Sequence, residues 1–558
     1  MTKVAIFGGG VGGLTAAHEL LDLGYEVEVY EKATLWGGKA RSFGIEGTGK
    51  DGRKDLPGEH GFRFFPGFYK HIPDTLRKIP YPGSDNGCLG NLTGTTQIAL
   101  YREQGEPIVM PANFPKSFAQ WKEAFHAVFG SHLGIPKPDA EFFVRQILKL
   151  ATSCEERMEG EYEFIPWWKY LRAGDKNDEY QKMLAEGLTR SLVAMKAELA
   201  STRTVGRMLL QMLYNIMTPG VEIDRVLNGP TSEVWIDPWV AHLTSYPKAT
   251  LTNHAAVVSF NMDHGRLGSV TVDVDGSERE VVADHYISAL PVEKMRALAG
   301  DDMRRAAPSI AKTDKLMVKW MNGIQFYLNH DVPVIHGHTI YVDSKWALTS
   351  ISQHQFWHGI KLEDYGDGTV RGILSIDVSD WEADGNKKVF QPAEKCSPED
   401  IITEVWAELQ AHLNEGDRKQ LETVERVAWN IDPDIVFPRA SPKNDRNIEP
   451  LLINTAGSLE NRPEAGTEIS NLCLASDYVH TFTDLACMEG ANEAARRAVN
   501  AILDREGSKA KRCQVWPFDT PTPFRWLQKF DKLRWELGHH QHSDFDNIPS
   551  EAGSEDAA

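Results

Sequence analysis

A glycine triplet and one acid near the start of the chain carry a chemistry defined by residue type and spacing. Gly8, Gly10 and Gly13 follow the short apolar run Lys3-Val4-Ala5-Ile6-Phe7 as Gly-x-Gly-x-x-Gly. A helical pattern from Leu14 to Leu21 comes next, Gly24 ends it, and Glu31 closes the extended run Glu26-Val27-Glu28-Val29-Tyr30. Gly8 suits a tight turn out of a strand, Gly10 lets a pyrophosphate approach the backbone, and Gly13 lets the helix lie close on the sheet. The free N–H groups and positive end of that helix favour phosphate. Glu31 stands at the usual distance for accepting hydrogen bonds from ribose hydroxyls. Together these are the strand, glycine turn, helix and strand of a dinucleotide site, with an ordinary glycine turn as the plainer alternative.

Further polar candidates lie in Gly58-Glu59-His60-Gly61-Phe62-Arg63-Phe64-Phe65, a run dense in glycine and aromatics. Glycines allow close backbone approach to a flat ring, and aromatics wall an apolar pocket. His60 is a candidate acid or base there and Arg63 a candidate charge contact. The plainer reading is a hydrophobic turn packed under the sheet. His336, His338, His354 and His358 have spacings that can suit a metal, but no supporting motif accompanies them. No metal site is expected.

The stretch Leu35-Trp36-Gly37-Gly38-Lys39-Ala40-Arg41-Ser42 resembles the second half of the FAD signature of the flavin amine oxidase and phytoene desaturase superfamily, Gly-Gly-basic-x-x-Ser after an acidic strand end. Gly58, His60 and Phe62, with Gly67 and Tyr69 beyond, resemble the family segment that passes beside the isoalloxazine ring. Val257, followed by Ala283-Asp284 and Ala289-Leu290-Pro291, is similar to the second FAD segment, where a valine contacts adenine; Tyr286 replaces the usual valine of that closing strand. Leu474-Ala475-Ser476-Asp477 and Met488-Glu489-Gly490-Ala491 resemble the C-terminal FAD motif, with Ser476 for the usual glycine and Glu493-Ala494 for a Ser-Gly pair.

The resemblance implies FAD rather than NAD. It implies that FAD is held by Gly8, Gly10, Gly13, Glu31, Lys32, Gly38, Lys39, Arg41, Gly61, Phe62, Val257, Asp477, Met488, Gly490 and Ala491. Lys39 and Arg41 then lie near the diphosphate or flavin, whose charge suits cations. Asp477 lies at the ribityl chain or diphosphate. The turn Met488–Ala491 aims N–H groups at the flavin N1–O2 edge, which becomes anionic on reduction. The nearest likeness is to plant-type phytoene desaturases, through Gly37-Gly38-Lys39, His60-Gly61-Phe62 and Met488-Glu489-Gly490-Ala491. The implied reaction is hydride transfer from an allylic C–H to flavin, with proton loss from a neighbouring carbon, on an apolar isoprenoid, polyene or unsaturated acyl lipid. A flavin amine oxidase, or a flavin-dependent lipid isomerase or dehydroxylase, are the alternatives. No second dinucleotide motif is visible, so a quinone or oxygen is the expected electron acceptor.

These residues need a scaffold that brings both ends of the chain to one place. The chain has 558 residues, too many for one compact core. The expected class is α/β: a Rossmann-type FAD-binding domain assembled from distant segments, with a helix-rich and mixed-sheet substrate domain. The segments are 1–90, 229–300 and 446–510 for FAD, 91–228 for a helical substrate insertion, 301–445 for the substrate-domain sheet, and 511–558 for a C-terminal amphipathic helix and acidic tail. Thr93 to Met110 reads as a strand pair. Helical periodicity follows at Phe118–Phe129, Phe142–Leu150, Tyr180–Met195 and Val205–Met217. Long strands are expected at Leu316–Trp320, Gly323–Leu328, Thr339–Val342, Trp346–Ile351 and Gly372–Val378, roofing the substrate cavity. Ser397 to Asn414 reads as a capped amphipathic helix, and Trp429 to Phe437 as an extended segment towards the site.

The last helical pattern, Pro521 to Leu537, puts Phe524, Leu527, Phe530, Leu533 and Leu537 on one face amid Arg525, Lys529, Lys532 and Arg534. It suits a membrane surface or a docked helix equally well. The net charge of −19 argues against a nucleic-acid partner. No apolar run is long enough to span a membrane, the first strand begins without a leader, and six scattered cysteines read as reduced thiols. A cytoplasmic protein, peripheral on the inner face of the membrane if the last helix binds lipid, is the resulting expectation.

Overall fold

The computed structural model describes residues 2–111, 134–187, 189–190, 195–216, 218, 222–437 and 447–541. The helical run Phe118–Phe129, the positions Leu188, Leu192 and Met217, and the acidic tail lie outside the described residues.

The glycine-rich opening forms β1 (Lys3–Phe7), α1 (Val11–Asp22) and β2 (Glu26–Tyr30). Every residue of α1 except Asp22 is buried, as expected for a helix covered on all sides. After α2 (His71–Lys78), β3 (Gln97–Tyr101) and β4 (Ile108–Pro111) make the expected antiparallel pair. The helical block contains α3 (Lys137–Ala151), α4 (Glu155–Gly160) and α5 (Thr202–Ile216). The run at Tyr180 folds as a short helical turn followed by a π-helical stretch, Gln181–Glu186.

The remaining strands are β5 (Ala249–Thr252), β6 (His285–Ser288), β7 (Asn322–Leu328), β8 (Gly337–Tyr341), β9 (Leu348–Ser352), β10 (Gly372–Val378), β11 (Arg426–Ile431) and β12 (Leu472–Leu474). An antiparallel meander, Ala255 to Val281, projects between β5 and β6. The later helices are α6 (Pro398–Leu413), α7 (Met488–Arg505) and α8 (Thr522–Glu536).

Two sheets dominate. The first has order β12-β6-β1-β2-β5 and is parallel throughout. Its register pairs Phe7 with both Tyr30 and Ser288, Ser288 with Leu474, and Tyr30 with Thr252. Five strands from distant parts of the chain therefore stop at one level. Of their continuations, Gly8, Glu31, Ala289 and Ala475 open on the carboxyl edge, where open α/β sheets bind ligands. The second sheet has order β11-β7-β10-β9-β8-β3-β4, antiparallel except where β8 meets β3. Both β7 and β10 are buried along their whole length, and α6 covers one face, with Trp406 edge-on to Phe326. Ser397 caps α6 with Asp400 in a reciprocal capping box.

One strand departs from expectation. Met317–Lys319 pairs antiparallel with Leu451–Ile453 in a separate ribbon instead of joining the broad sheet. The C-terminal helix is docked through a buried charge and through one end of its apolar stripe. Asp531 is buried and accepts from the Cys154 N–H at 2.9 Å and from Arg157 Nε, while Phe524 stacks on Tyr214. Trp526, Leu527, Leu533 and Leu537 remain 49–72% exposed. All six cysteines are free thiols. Among the described residues no helix is long and apolar enough to cross a membrane.

Candidate active site

The strand ends enclose a cavity of about 720 Å³, within the usual size of a cofactor or small-molecule site. Its floor is the α1 turn. Leu14 N–H donates to Gly10 O at 2.9 Å, and Gly37 N–H donates to Gly9 O at 2.8 Å, which sews the second glycine turn onto the first. Gly12, absent from the sequence reading of the site, is packed as tightly as Gly13. A Cβ there would lie 1.9 Å from the carbonyl oxygen of Ala475, so α1 touches the end of β12 directly. The side chain of Glu31 accepts from Gly9 N–H at 2.6 Å and Ala33 N–H at 2.8 Å, fixing the end of β2.

Of the residues singled out in the sequence, Gly8, Gly10, Glu31, Lys32, Gly38, Lys39, Arg41, His60, Gly61, Phe62, Arg63, Val257, Asp477, Met488 and Ala491 all line this cavity. Gly13 and Gly490 do not. A Cβ on Gly13 would strike Gly8 O, so this glycine packs α1 on the sheet. The N–H of Gly490 is taken by the Cys487 thiol at 3.4 Å and that of Ala491 by the Cys487 carbonyl at 3.0 Å. The helix end thus reaches the cavity through Cys487, Met488 and Ala491. Behind it, Glu489 accepts from the N–H groups of Lys70, His71 and Ile72 at 2.7–2.9 Å and from His71 Nδ1 at 2.8 Å. That carboxylate ties the start of α7 to the start of α2. Burial opposes its charge, yet His71 and these N–H groups hold it below the usual carboxylate range.

Basic groups are concentrated along one side. Lys39 Nζ donates to Pro450 O at 2.6 Å, Lys32 pairs with Glu449, and Arg63 donates to the carbonyls of Gly61 and Lys39. Acids that the sequence reading missed face them. Asp377, from β10, and Asp434, just beyond β11, line the cavity. Burial pushes Asp377 up to about 7, against the pull of Arg63. Arg41 lies 3.4 Å from Asp434, and His60 Nδ1 lies 2.6 Å from Asp432 and 3.3 Å from Asp434. The backbone seals this cluster: Gly323 N–H donates to His60 O at 2.6 Å, and Asp432 N–H donates to Gly323 O at 3.1 Å. The later histidines are scattered. His338 pairs with Asp224 at 3.4 Å, His354 with Asp331 at 3.3 Å, and His336 meets Thr96 at 3.0 Å.

The donor set suits FAD. Lys32, Lys39, Arg41 and Arg63 supply positive charge for a diphosphate, the α1 end supplies N–H groups, and buried His60 has ring nitrogens without an aligned partner. Comparison with known proteins agrees. The profile of NAD(P)-binding Rossmann-like domains matches residues 6–79, and that of flavin-containing amine oxidoreductases matches residues 228–503. The chain resembles the flavin amine oxidase and phytoene desaturase superfamily over most of its length. It is an FAD-dependent oxidoreductase. Similar proteins include the 15-cis-phytoene desaturase of Synechococcus elongatus, 24% identical over 92% of this chain and 98% of that one. The zeta-carotene desaturase of a Synechocystis species is 23% identical over 90% and 97%. Among solved structures, putrescine oxidase bound to putrescine superposes with a TM-score of 0.61 at 15% identity, covering 90% of this chain and 99% of that one. Cyclohexylamine oxidase from Brevibacterium oxydans gives 0.61 at 13%, covering 91% and 99%. These last two share the superfamily's fold.

Proposed function

We propose that this oxidoreductase desaturates an apolar isoprenoid or polyene with FAD bound in the cavity. The observation that carries the reading is similarity to phytoene and zeta-carotene desaturases along nine-tenths of the chain. Among the lining residues, Phe62, Met321, Cys487 and Met488 are soft, polarisable apolar groups, compatible with a hydrocarbon beside the flavin. FAD supplies an acceptor for the two electrons and one hydrogen nucleus that leave a substrate C–H as hydride. In this reading Glu31 orients the adenosine ribose, with Val257 beside adenine. Lys32, Lys39 and Arg41 neutralise the diphosphate, Asp477 holds the ribityl chain, and Gly61 and Phe62 pack on the ring. Gly8, Gly10 and Gly38 let backbone approach the phosphates, Gly13 keeps α1 on the sheet, and Met488, Gly490 and Ala491 form the helix end at the pyrimidine edge. The protein's contribution is to position the substrate C–H and exclude water. A quinone or oxygen then takes the electrons.

The test is mass spectrometry of polyene lipids incubated with the purified yellow protein. The expected product has lost two hydrogens per new double bond. A product of unchanged mass points to isomerisation, and peroxide release with an amine substrate points to the amine oxidase alternative. Protein that takes up no FAD removes the basis of the reading.

Contact with the cytoplasmic membrane surface belongs to the same proposal, because a polyene is delivered from lipid. The exposed Trp526, Leu527, Leu533 and Leu537 of α8, flanked by Arg525, Lys529 and Arg534, form the contact. Co-sedimentation with anionic phospholipid vesicles should drop at least tenfold in a Trp526→Ser, Leu533→Ser, Leu537→Ser triple variant. Since Asp531 and Phe524 keep the helix docked, its thermal stability should match the unmodified protein. Unchanged co-sedimentation removes α8 from the contact.

A further inference from the structure

We infer that His60 is a cationic residue in the wall of the cofactor cavity, and that Asp432 and Asp434 are the positioning residues that keep it charged. The inference rests on FAD occupying that cavity.

Three observations converge. First, His60 lines the cavity with only 7% of its side chain exposed, yet neither ring nitrogen completes an aligned hydrogen bond with the described residues. Nδ1 makes charge contacts with Asp432 and Asp434, and Nε2 is covered without a hydrogen-bond partner among the described residues. A buried polar nitrogen without a partner is costly, so the ring is held by its charge contacts at Nδ1.

Second, two buried carboxylates lie within ion-pair reach of His60. Asp432, on the loop after β11, is 1% exposed and takes Asn322 Nδ2 at 2.5 Å in addition to His60. Asp434 meets His60 and Arg41. From the other elements around the ring, Arg63 repels the imidazolium and Asp377 of β10 attracts it. Burial disfavours the charged ring, but the two nearer carboxylates outweigh burial and lift the imidazole above its ordinary value. Asp432 is held below the usual carboxylate range in spite of its own burial, chiefly by His60.

Third, the contact with Asp432 is an ion pair too short to be two ligands of one metal ion. His60, Asp432 and Asp434 are ligand types that can gather around a cation. Ligands at about 2.0–2.2 Å from a tetrahedral ion stand roughly 3.3 Å or more apart, whereas Nδ1 and Oδ2 of Asp432 are 2.6 Å apart.

A fixed cation beside the cofactor favours whichever oxidation state carries more negative charge, which for a flavin is the reduced one. His60 therefore raises the tendency of bound FAD to accept electrons. Asp432 and Asp434 act through it.

The experiment is dye-equilibrated reduction of the FAD-loaded full chain between about pH 6 and 9, the span in which an imidazole titrates. His60→Gln should hold reduced FAD at least tenfold less tightly relative to oxidised FAD, which is about 30 mV for a two-electron couple. Asp432→Asn should match the unmodified protein at the acid end and His60→Gln at the alkaline end, because burial then strips the ring of its proton as pH rises. Asp434→Asn should show the same pattern more weakly and serves if Asp432→Asn does not fold. The inference is overturned if His60→Gln leaves the potential unchanged. An Asp432→Asn shift of equal size at every pH, as a merely structural role would give, also overturns it. So does a bound divalent metal whose chelation reproduces the His60→Gln shift. Unmodified protein that takes up no FAD overturns the cofactor reading itself, and this inference with it.

Discussion

Gly12→Ala should strip the protein of FAD and most of its soluble yield. The added Cβ would fall 1.9 Å from the Ala475 oxygen and 3.0 Å from the Ala475 carbonyl carbon, both backbone atoms. No rotamer relieves such a contact, so α1 must lift from β12. It cannot do so freely, because Asn492 of α7 is hydrogen-bonded to Thr15 of α1 at 2.9 Å. Overpacking a core costs about 1–3 kcal/mol when side chains can give way, and occasionally more. A backbone collision belongs at the top of that range, about 3 kcal/mol, in a molecule whose total stability is on the order of 5–15 kcal/mol. Gly12 and Ala475 both line the cavity, so the shift opens the phosphate end of the site as well. Flavin absorbance per chain, together with thermal unfolding, measures both effects. Gly300→Ala, with nothing within 4 Å of its Cβ, is the matched control and should change neither. A Gly12→Ala protein with a full complement of flavin would show that the α1–β12 contact can yield.

Asp484→Asn should be the most damaging isosteric change. Asp484 is 1% exposed and receives the guanidinium groups of Arg203 and Arg462, Thr204 Oγ1 at 2.7 Å and Asn454 Nδ2 at 3.3 Å. Arg203 is 1% exposed and Arg462 6%. Neutralising the carboxylate leaves two buried cations facing an amide, and breaking such a cluster typically costs about 3–5 kcal/mol. The damage reaches the site because Arg462 also donates to the carbonyls of Asp477, Tyr478 and Val479, the loop that sets Asp477 at the cavity. Burial raises the affinity of this carboxyl for a proton, but the arginines prevail and its titration lies below the ordinary range. The sign of the pH effect follows. Above the unfolded-chain value, about 3.9, the contribution is complete. As pH falls towards the folded value the unfolded chain binds the proton first, and stability is lost. Urea unfolding of the two proteins should therefore differ most near neutral pH and converge in acid. A difference under about 1 kcal/mol at neutral pH would show that water already reaches these arginines.

How much of this was legible in the sequence depends on how local the cause is. The β1-α1-β2 unit was readable because its signals, glycine spacing and hydrophobic period, lie within the elements they specify. Fifteen of the candidate site residues reach one cavity because family motifs recorded what local patterns cannot. Gly12 was missed because its constraint comes from Ala475, at the other end of the chain. Asp432-Pro433-Asp434 looks like a turn after a strand. Only the pairing of β11 with β7 brings those acids to His60. The C-terminal helix left two readings open, since its stripe of leucines suited a membrane surface or a docked face equally. Arg157 pulls Asp531 inward, and with that ion pair buried on a polar position several leucines lie outside. Helical periodicity reports that two faces differ, not which of them a neighbouring charge will claim.

The order of strands in the parallel sheet has a consequence for biosynthesis. The sheet and its cavity need β1 at the start of the chain and β12 with α7 near its end. At roughly 5–20 residues per second on a ribosome, the first glycine turn waits on the order of 25–100 s for Met488 to emerge. During that time the edge of β1 waits for β6, the edge of β6 then waits for β12, and the apolar face of α1 waits for α7. The nascent chain must therefore be shielded by other means, and the cofactor can enter only once nearly all of it has been made.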